Sequence, residues 1–166
     1  MAARKPSEPH AQSASPVERA RGRPAERGVR HHARALALQG LYGWLLAGGE
    51  ADAIGSQLLT AEQLAKVDAD FFREVLAGTI GAAEELRACF VDLVDRPVAS
   101  LSPVEHALLL MGAFELRYHP EIPYRVTINE AVELAKSFGG TDGYRYVNGV
   151  LDKLAAKLRP AETGTR

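Results

Sequence analysis

Apolar residues recur at helical spacing along most of the chain. In residues 38–45 they repeat every three or four positions, which predicts one face of a helix. Pro24 is a favourable first helical residue, and Gly48-Gly49 ends the run after Ala47. The segment 50–63 has a shorter apolar side of the same kind. The first third of the chain therefore predicts one long helix followed by a short one.

A second set of apolar repeats occupies the middle of the chain. Asp68 or Asp70 is the expected N-terminal cap of a long helix that ends near Val91. The segment 102–105, Ser-Pro-Val-Glu, is the clearest helix start, because it combines a serine cap, a proline in the first turn and an acid. Residues 106–116 are apolar nearly all round, which predicts a central helix packed on several sides.

The C-terminal third predicts two helices joined by a short polar loop. Thr127 and Glu130 have the spacing of a capping box, so the first of these helices is expected to begin at Thr127. Gly139-Gly140 is expected to end it in the left-handed conformation. Thr141 or Asp142 is the expected cap of the second helix. Its predicted apolar face comprises Val147, Val150, Leu151, Leu154 and Leu158.

These patterns predict an all-α fold, a compact bundle of about six to seven helices, five or six of them long. No stretch alternates in the way a half-buried strand would. Residues 1–24 are rich in Pro, Ser, Ala and Arg and predict a disordered basic tail. The expected organisation is that tail, a helical domain over residues 25–160, and a second disordered tail over residues 161–166.

The composition, 46% apolar and 25% charged, is that of an ordinary globular protein. The longest apolar run is shorter than a membrane span and the N-terminus lacks an apolar signal segment, so we expect a cytoplasmic protein. Cys89 is the single cysteine, which excludes an internal disulfide and a thiolate metal cage. Its place in a helical pattern predicts a packed, inert thiol.

Charge is distributed unevenly along the chain. Residues 1–34 contain eight Lys/Arg and three Asp/Glu, whereas the remainder contains twelve and eighteen. A basic arm on an acidic body is a common layout for a nucleic-acid-binding protein. A merely solubilising tail is the alternative interpretation.

Cationic residues follow one side of the first predicted helix. The positions are Arg27, Arg30, His31 and Arg34, with His32 beside them. The first four are spaced i, i+3, i+4 and i+7, which predicts a single cationic stripe. Arginine forks match phosphate oxygens and stack on exposed bases, so the stripe predicts an RNA-binding surface.

A second candidate RNA-binding group lies at the start of the last helix. It consists of Tyr144, Arg145 and Tyr146. Aromatic rings can stack on unpaired bases while an arginine contacts phosphate. The alternative is that either tyrosine belongs to the core. Asp142 is most simply a helix cap and, secondarily, an acceptor for a base edge.

The sequence gives little support for catalysis. His31 and His32 are adjacent and point about 100° apart on a helix, so they cannot share a metal ion. His106 and His119 have no carboxylate or cysteine at ligand spacing. The glycine-rich segment 138–143 joins two helices and lacks the order of a phosphate-binding loop. We therefore expect no enzyme activity, no metal and no cofactor.

The segment INEAVELAKSFG, with a polar turn and then YVNGVLDKLA, resembles the C-terminal signature of the NusB family of bacterial transcription antitermination factors. Further motifs that resemble the family occur in the same order. They are RHHAR at 30–34, ALQGLY at 37–42, DFFR at 70–73, LAG at 76–78, SPVE at 102–105, AFEL at 113–116 and IPY at 122–124. The resemblance covers about residues 28–160.

The resemblance implies an all-helical fold of two packed bundles. It implies binding to single-stranded boxA RNA of ribosomal RNA leader transcripts, together with the small-subunit ribosomal protein NusE. It also implies assembly with RNA polymerase, which then resists termination. The implied RNA-contacting residues are Arg30, Arg34, Phe138, Asp142 and Tyr146. The implied NusE-contacting residues are Tyr42 and Glu105.

His31 and His32 stand where arginine is frequent in the family. Neutral imidazoles would weaken phosphate contacts, whereas protonation below about pH 6.5 would strengthen them. Two alternative functions remain. One is a homodimeric protein-interaction module that binds no RNA in the free state. The other is a stand-alone relative of the RNA-targeting domain of ribosomal RNA cytosine methyltransferases. A complete methyltransferase of this kind would also need a catalytic domain, and 166 residues leave no room for one.

Overall fold

The computed structural model describes residues 24–140 and 142–164. The predicted tail over residues 1–23 lies outside this range, as do Thr141 and residues 165–166. The described residues form nine α-helices and one 3₁₀ turn without any strand, which confirms the all-α prediction. No helix in this part of the chain combines the length and apolarity needed to cross a bilayer.

The helices, numbered in chain order, have the following bounds. They are α1 (Pro24–Ala47), α2 (Ala51–Leu58), α3 (Ala61–Leu64), α4 (Ala69–Gly81), α5 (Ala83–Phe90), α6 (Pro103–Tyr118), α7 (Tyr124–Phe138), α8 (Gly143–Leu158) and α9 (Pro160–Thr163). The 3₁₀ turn, Val98–Ser100, precedes α6.

Helix α6 is the centre of the fold. Residues 107–116 are all buried, as their all-round apolar pattern predicted. The helix packs against α1 and α4 from the N-terminal half and against α5, α7 and α8 from the C-terminal half. Its neighbours thereby form two groups that share one central helix, and α1 and α7 both border it.

Several predicted helix ends are confirmed. Helix α1 ends at Ala47 as predicted, and the described part of the chain starts within it at Pro24. The Ser102 hydroxyl accepts a hydrogen bond from the amide of Glu105 at 3.2 Å. Asp68, not Asp70, caps α4, because its carboxylate accepts from the amide of Phe71 at 3.0 Å. Side-chain oxygens satisfy amides that the first turn of a helix leaves without partners.

Two predicted helices are each divided in the structure. The segment 50–63 is interrupted at Leu59-Thr60, where Thr60 caps α3 by accepting from the amide of Gln63. The long helix expected to reach Val91 is broken at Ala82, between α4 and α5. The apolar spacing continues across both breaks, so periodicity alone could not reveal them.

The predicted capping box at Thr127 is wrong. Helix α7 begins three residues earlier, with Pro123 at the cap position, and Thr127 is a buried residue of its first turns. Glu130 contacts His31 instead of the Thr127 amide. At the other end Gly139 is extended, with φ −94° and ψ −179°, and not left-handed. Asp142 precedes α8 as predicted, but its side chain makes no capping hydrogen bond.

The prediction of a disordered tail from residue 161 is wrong for the first residues of that segment, since Pro160–Thr163 form α9. The preceding Arg159 is buried and donates to four backbone carbonyls. They are those of Glu115, Leu116, His119 and Ile122. Arg159 therefore caps the C-terminal end of the central helix, where carbonyls lack helical partners.

Candidate nucleic-acid interface

The predicted cationic stripe on α1 is only partly exposed. Arg27 and His32 are exposed to solvent. The side chain of Arg30 is 41% exposed, and its guanidinium lies 4.6 Å from the centre of the Phe71 ring and 3.6 Å from Asp68. The first turns of α1 thus present cations to solvent along an edge that we call the α1 edge, formed by Arg27, Arg30, His31 and His32.

Arg34 does not belong to this edge, so the predicted stripe is wrong at this position. Its side chain is only 3% exposed. Its Nε and Nη2 atoms donate to the Glu115 carboxylate of α6 at 2.6–3.1 Å. Buried charges require such a partner, and a guanidinium held in this way cannot reach a phosphate in solvent.

His31 is held by a carboxylate from the neighbouring helix. Its Nδ1 atom lies 2.6 Å from Glu130 Oε2, and its side chain remains 40% exposed. Glu130 Oε2 is also 3.9 Å from Nη1 of Arg34. The exposed edge of α1 is therefore connected through Glu130 to the buried ion pair beneath it.

An apolar groove of about 290 Å³ opens beside the same edge, where α1 meets the ends of α6 and α7. Its lining residues are Ala35, Leu38, Gln39, Tyr42, Val104 and Phe138. Tyr42 is 41% exposed and Phe138 is 53% exposed. The structure therefore brings together two aromatic residues that the sequence assigned to different partners.

Glu105, the other predicted partner-binding residue, lies at the entrance to α8. It is half-buried, and a Cβ atom at Gly143 would be only 3.2 Å from its Oε1 atom. Its neighbour Val104 lines the groove. The groove, Glu105 and the exposed Asp142 before α8 thus occupy one region of the molecule.

The predicted Tyr144–Arg145–Tyr146 group is divided between two environments. Tyr144 is half-buried, with the Lys136 ammonium 5.2 Å from its ring centre. The exposed Arg145 donates from Nε to the Tyr144 hydroxyl at 3.0 Å. An aromatic ring with cations beside it is a suitable platform for a nucleotide, whose base can stack on a free face while the cations contact phosphate.

Tyr146 faces the loop before α6, where the Arg96 guanidinium lies 4.7 Å from its ring centre. Its hydroxyl is buried and makes no hydrogen bond of good geometry within the described residues. Burial and the nearby Asp95 carboxylate together raise the pKa of Tyr146. Tyr144 and Tyr146 both pack partly against the core. The alternative that these tyrosines belong to the core therefore holds in part for each.

His119 pairs with carboxylates within the fold. His119 is buried between Glu121, 2.6 Å from Nδ1, and Glu74, 3.1 Å from Nε2. The spacing of residues in the sequence gave no sign of these two carboxylate contacts. Because the two carboxylates lie at opposite ring nitrogens, they do not converge on one point. The described residues contain no cluster of three or more His, Cys, Asp or Glu side chains able to hold a metal ion.

Cys89 and His106 make contacts that stabilise the fold. Cys89 is buried, as predicted, and its Sγ atom accepts from Nη1 of Arg117 at 3.2 Å. His106 Nε2 accepts from Nε of Arg87 at 3.0 Å, which requires that ring nitrogen to be unprotonated. Burial and the Arg87 charge lower the pKa of His106.

Sequence reasoning missed the roles of Glu115, Glu130 and Arg96. Glu115 carried a usable signal, because an acid inside an otherwise apolar, fully buried helix must find a cationic partner. Arg34 carried the matching signal, since it precedes Leu38 and Leu41 on the apolar side of α1 by four and seven positions. The contacts of Glu130 and Arg96 cross between elements and have no local signature.

The fold and this surface define an all-helical protein with a cationic and aromatic edge of the kind that contacts nucleic acid. Comparison with known proteins identifies the family. The NusB family model matches residues 31–156, which is most of the chain. The chain belongs to the NusB family, as its motifs had indicated.

Named relatives agree with this assignment. Transcription antitermination protein NusB of Bordetella pertussis is 56% identical over 140 residues, which cover 82% of this chain and 91% of the relative. The protein of the same name from Nitrosospira multiformis is 56% identical over 133 residues, or 80% of this chain and 84% of the relative.

Solved structures share the fold. NusB of T. maritima superimposes with a TM-score of 0.73 at 23% identity, covering 81% of this chain and 96% of that one. A crystal structure of antitermination factors NusB and NusE in complex with double-stranded RNA gives a TM-score of 0.70 at 21% identity, covering 76% and 96%. The two-bundle arrangement implied by the family resemblance is thereby confirmed.

Proposed function

We propose that this chain is a transcription antitermination factor that acts in the cytoplasm without catalysis. It binds boxA RNA of ribosomal RNA leader transcripts together with NusE and helps RNA polymerase to pass terminators. The observation that carries this proposal is the 56% identity, over most of both chains, to proteins named transcription antitermination protein NusB. The solved complex of NusB and NusE with double-stranded RNA, which has the same fold, supports NusE and RNA in general as partners.

The α1 edge is proposed to supply the phosphate contacts. Arg27 and His32 are exposed, and Arg30 and His31 are half-exposed, so all four side chains can approach an RNA backbone. Phosphate contacts of this kind provide affinity with little sequence preference. This role excludes Arg34, whose guanidinium is committed to Glu115.

Selectivity is proposed to come from the region around the start of α8. The Tyr144 ring, which has Lys136 and Arg145 beside it, can stack on an unpaired base. Phe138 and Asp142 are exposed nearby in the chain, and Tyr146 contributes only the ring surface that Arg96 leaves free. Single-stranded boxA RNA provides unpaired bases for such contacts, whereas a continuous duplex would not.

The NusE-binding surface is proposed to be the apolar groove together with Glu105. Tyr42 lines the groove and is exposed, and aromatic anchors in pockets dominate many protein interfaces. The Tyr42→Asp variant is expected to lose heterodimer formation, because the charge would have to be buried without a partner. Size-exclusion chromatography with NusE measures this, and an unchanged heterodimer with normal helix content would reject the assignment.

A gel-shift experiment with a boxA oligonucleotide, with and without NusE, tests the proposed function. We expect weak binding by the chain alone and a marked gain of affinity with NusE. A mutated boxA sequence of the same length is the control and should bind less tightly. Failure to bind boxA RNA even with NusE and at low salt would contradict the proposal. A homodimer that neither NusE nor RNA disrupts would instead support the interaction-module alternative.

We further propose that residues 25–160 form the RNA-binding domain and that the basic segment before them adds only non-specific attraction. That segment contributes five of the eight basic residues in residues 1–34. Deleting residues 1–23 should then lower affinity for boxA and mutated boxA by the same factor. A loss confined to boxA would contradict this division.

A further inference from the structure

The loop between α5 and α6 places Arg96 over the ring of Tyr146, in the first turn of α8. The guanidinium carbon of Arg96 lies 4.7 Å from the centre of that ring. Tyr146 is half-buried, packs partly against the core and has a buried hydroxyl. The side chain of Arg96, in contrast, is 44% exposed. Of the two groups, Arg96 is therefore the more accessible to a ligand that approaches from solvent.

The charge of Arg96 is offset by neighbouring carboxylates. Asp95 accepts hydrogen bonds from Nε of Arg96 at 2.8 Å and from Nη2 at 3.4 Å. This contact raises the pKa of Arg96 and lowers that of Asp95, and the charge of Glu105 on α6 adds a weaker attraction for Arg96. A phosphate that approached Arg96 would also approach these carboxylates, which repel it. The surroundings of Arg96 thus do not favour a phosphate contact.

The hydrogen bonds with Asp95 leave the flat faces of the guanidinium unused. The N–H donors of arginine lie in the plane of the group, so Asp95 is bound along an edge. The faces of a guanidinium can stack on an unpaired base as an aromatic ring does. A base that approaches Tyr146 from the side of Arg96 would meet the guanidinium before it met the ring.

We infer that Arg96 is a further RNA-binding residue, which stacks on an unpaired base while Tyr146 and Asp95 hold its guanidinium in place. This inference rests on the proposed function and deepens it, since it adds a contact that selects for unpaired bases. The neighbouring Arg145 donates to the Tyr144 hydroxyl and belongs to a separate group.

The inference predicts a loss of affinity without a change in salt dependence. Arg96→Ala should weaken binding to boxA RNA with NusE by about fivefold or more, the lower range for one stacked base. The slope of log affinity against log salt should stay the same, whereas a lost phosphate contact would reduce it by about 0.7. Fluorescence anisotropy over a salt series measures both. Arg73→Ala is the matched control, because Arg73 is also exposed and paired with an acid, 3.7 Å from Asp70 on α4, and should change neither.

Two further substitutions separate the flat shape of Arg96 from its charge. Arg96→Lys keeps the charge but has no flat group, so it should bind boxA RNA as weakly as Arg96→Ala. Arg96→Phe has a flat group without a charge and should recover most of the wild-type affinity. A phosphate contact predicts the reverse order. Fully paired RNA of the same sequence should bind equally to the wild type and all three variants, because its bases are not free to stack on protein.

The outcomes separate the inference from the proposed function. Absence of boxA binding by the wild type with NusE would overturn the proposed function and the inference with it. Normal wild-type binding with an unaffected Arg96→Ala variant would overturn the inference alone. Full recovery by Arg96→Lys, or an Arg96→Phe variant as weak as Arg96→Ala, would do the same. Circular dichroism and thermal unfolding of each variant confirm that the compared proteins are folded.

Discussion

At the scale of single residues, burial decides what a charge does. Arg27 and Arg34 lie seven positions apart on one side of α1, yet Arg27 is exposed and Arg34 is buried against Glu115. Replacing a buried ion pair by apolar groups is often tolerated, whereas removing one partner leaves a charge without compensation. Mutation of Arg34 is therefore expected to reduce folding stability strongly, and mutation of Arg27 is expected to change it little.

Arg34→Ala is expected to lower the free energy of unfolding by about 3–5 kcal/mol, because Glu115 would remain buried without its partner. The double variant Arg34→Met with Glu115→Leu should recover most of this loss. Arg27→Ala is the matched control and should change stability by less than about 0.5 kcal/mol. Urea denaturation measures all three. Equal stability of the two single arginine variants would contradict the buried-pair interpretation.

His106 gives the fold a pH-dependent contribution to stability. Burial and the Arg87 charge lower its pKa below the unfolded value of about 6.5. The unfolded chain then binds more protons than the folded chain once pH falls below about 6.5, so this contribution to folding stability decreases as pH falls. At higher pH the ring is neutral in both states and the contribution is constant.

His106→Gln removes this titration while keeping an oxygen that can accept from Arg87 Nε. The variant should lose less stability than the wild type between about pH 7.5 and about pH 5.5, as measured by urea denaturation at both values. A His106→Gln variant with the wild-type pH slope would show that the ring titrates normally in the folded protein.

At the scale of elements, close approach of helices explains features that periodicity cannot. Gly78 of α4 faces the Phe114 ring of α6, and a Cβ atom at this position would overlap that ring. The small residue lets the two helices come together beside the core. Close helix packing is therefore the physical reason for glycine in the Leu76–Ala77–Gly78 motif.

Gly78→Ala is expected to destabilise the protein by about 1–3 kcal/mol, the usual range for overpacking a close-packed interface. Gly81→Ala in the same helix is the matched control, since its Cβ would meet no described atom within 4 Å. It should be neutral or slightly stabilising, because alanine favours helix. Thermal unfolding of both variants measures the difference, and equal melting temperatures would contradict the proposed close contact.

How far elements could be predicted from sequence depends on where their signals lie. The Ser102 cap and the buried segment 107–116 were predictable, because their signals are local. The start of α7 was not predictable, because Thr127 and Glu130 have the spacing of a capping box. In the structure Glu130 instead contacts His31, which lies 99 positions away in the chain. The break at Ala82 was also hidden, because apolar spacing continues across it.

At the scale of the whole molecule, α6 holds α1 and α7 next to each other, and function is proposed to depend on that arrangement. The α1 edge, the groove with Tyr42 and Phe138, and the Tyr144 platform come from separate segments of the chain. Family motifs allowed most of their residues to be predicted. Which of them reach solvent could be decided only by the fold, as Arg34 and Tyr146 illustrate.

The salt dependence of boxA affinity, measured by fluorescence anisotropy with NusE present, tests the central claim most directly. Each lost phosphate contact on single-stranded RNA should reduce the slope of log affinity against log salt by about 0.7, so Arg27→Ala with Arg30→Ala should reduce it by about 1.4. Arg73→Ala, an exposed arginine on α4, is the control and should leave the slope unchanged. If the double variant keeps the wild-type affinity and slope, the α1 edge does not bind RNA.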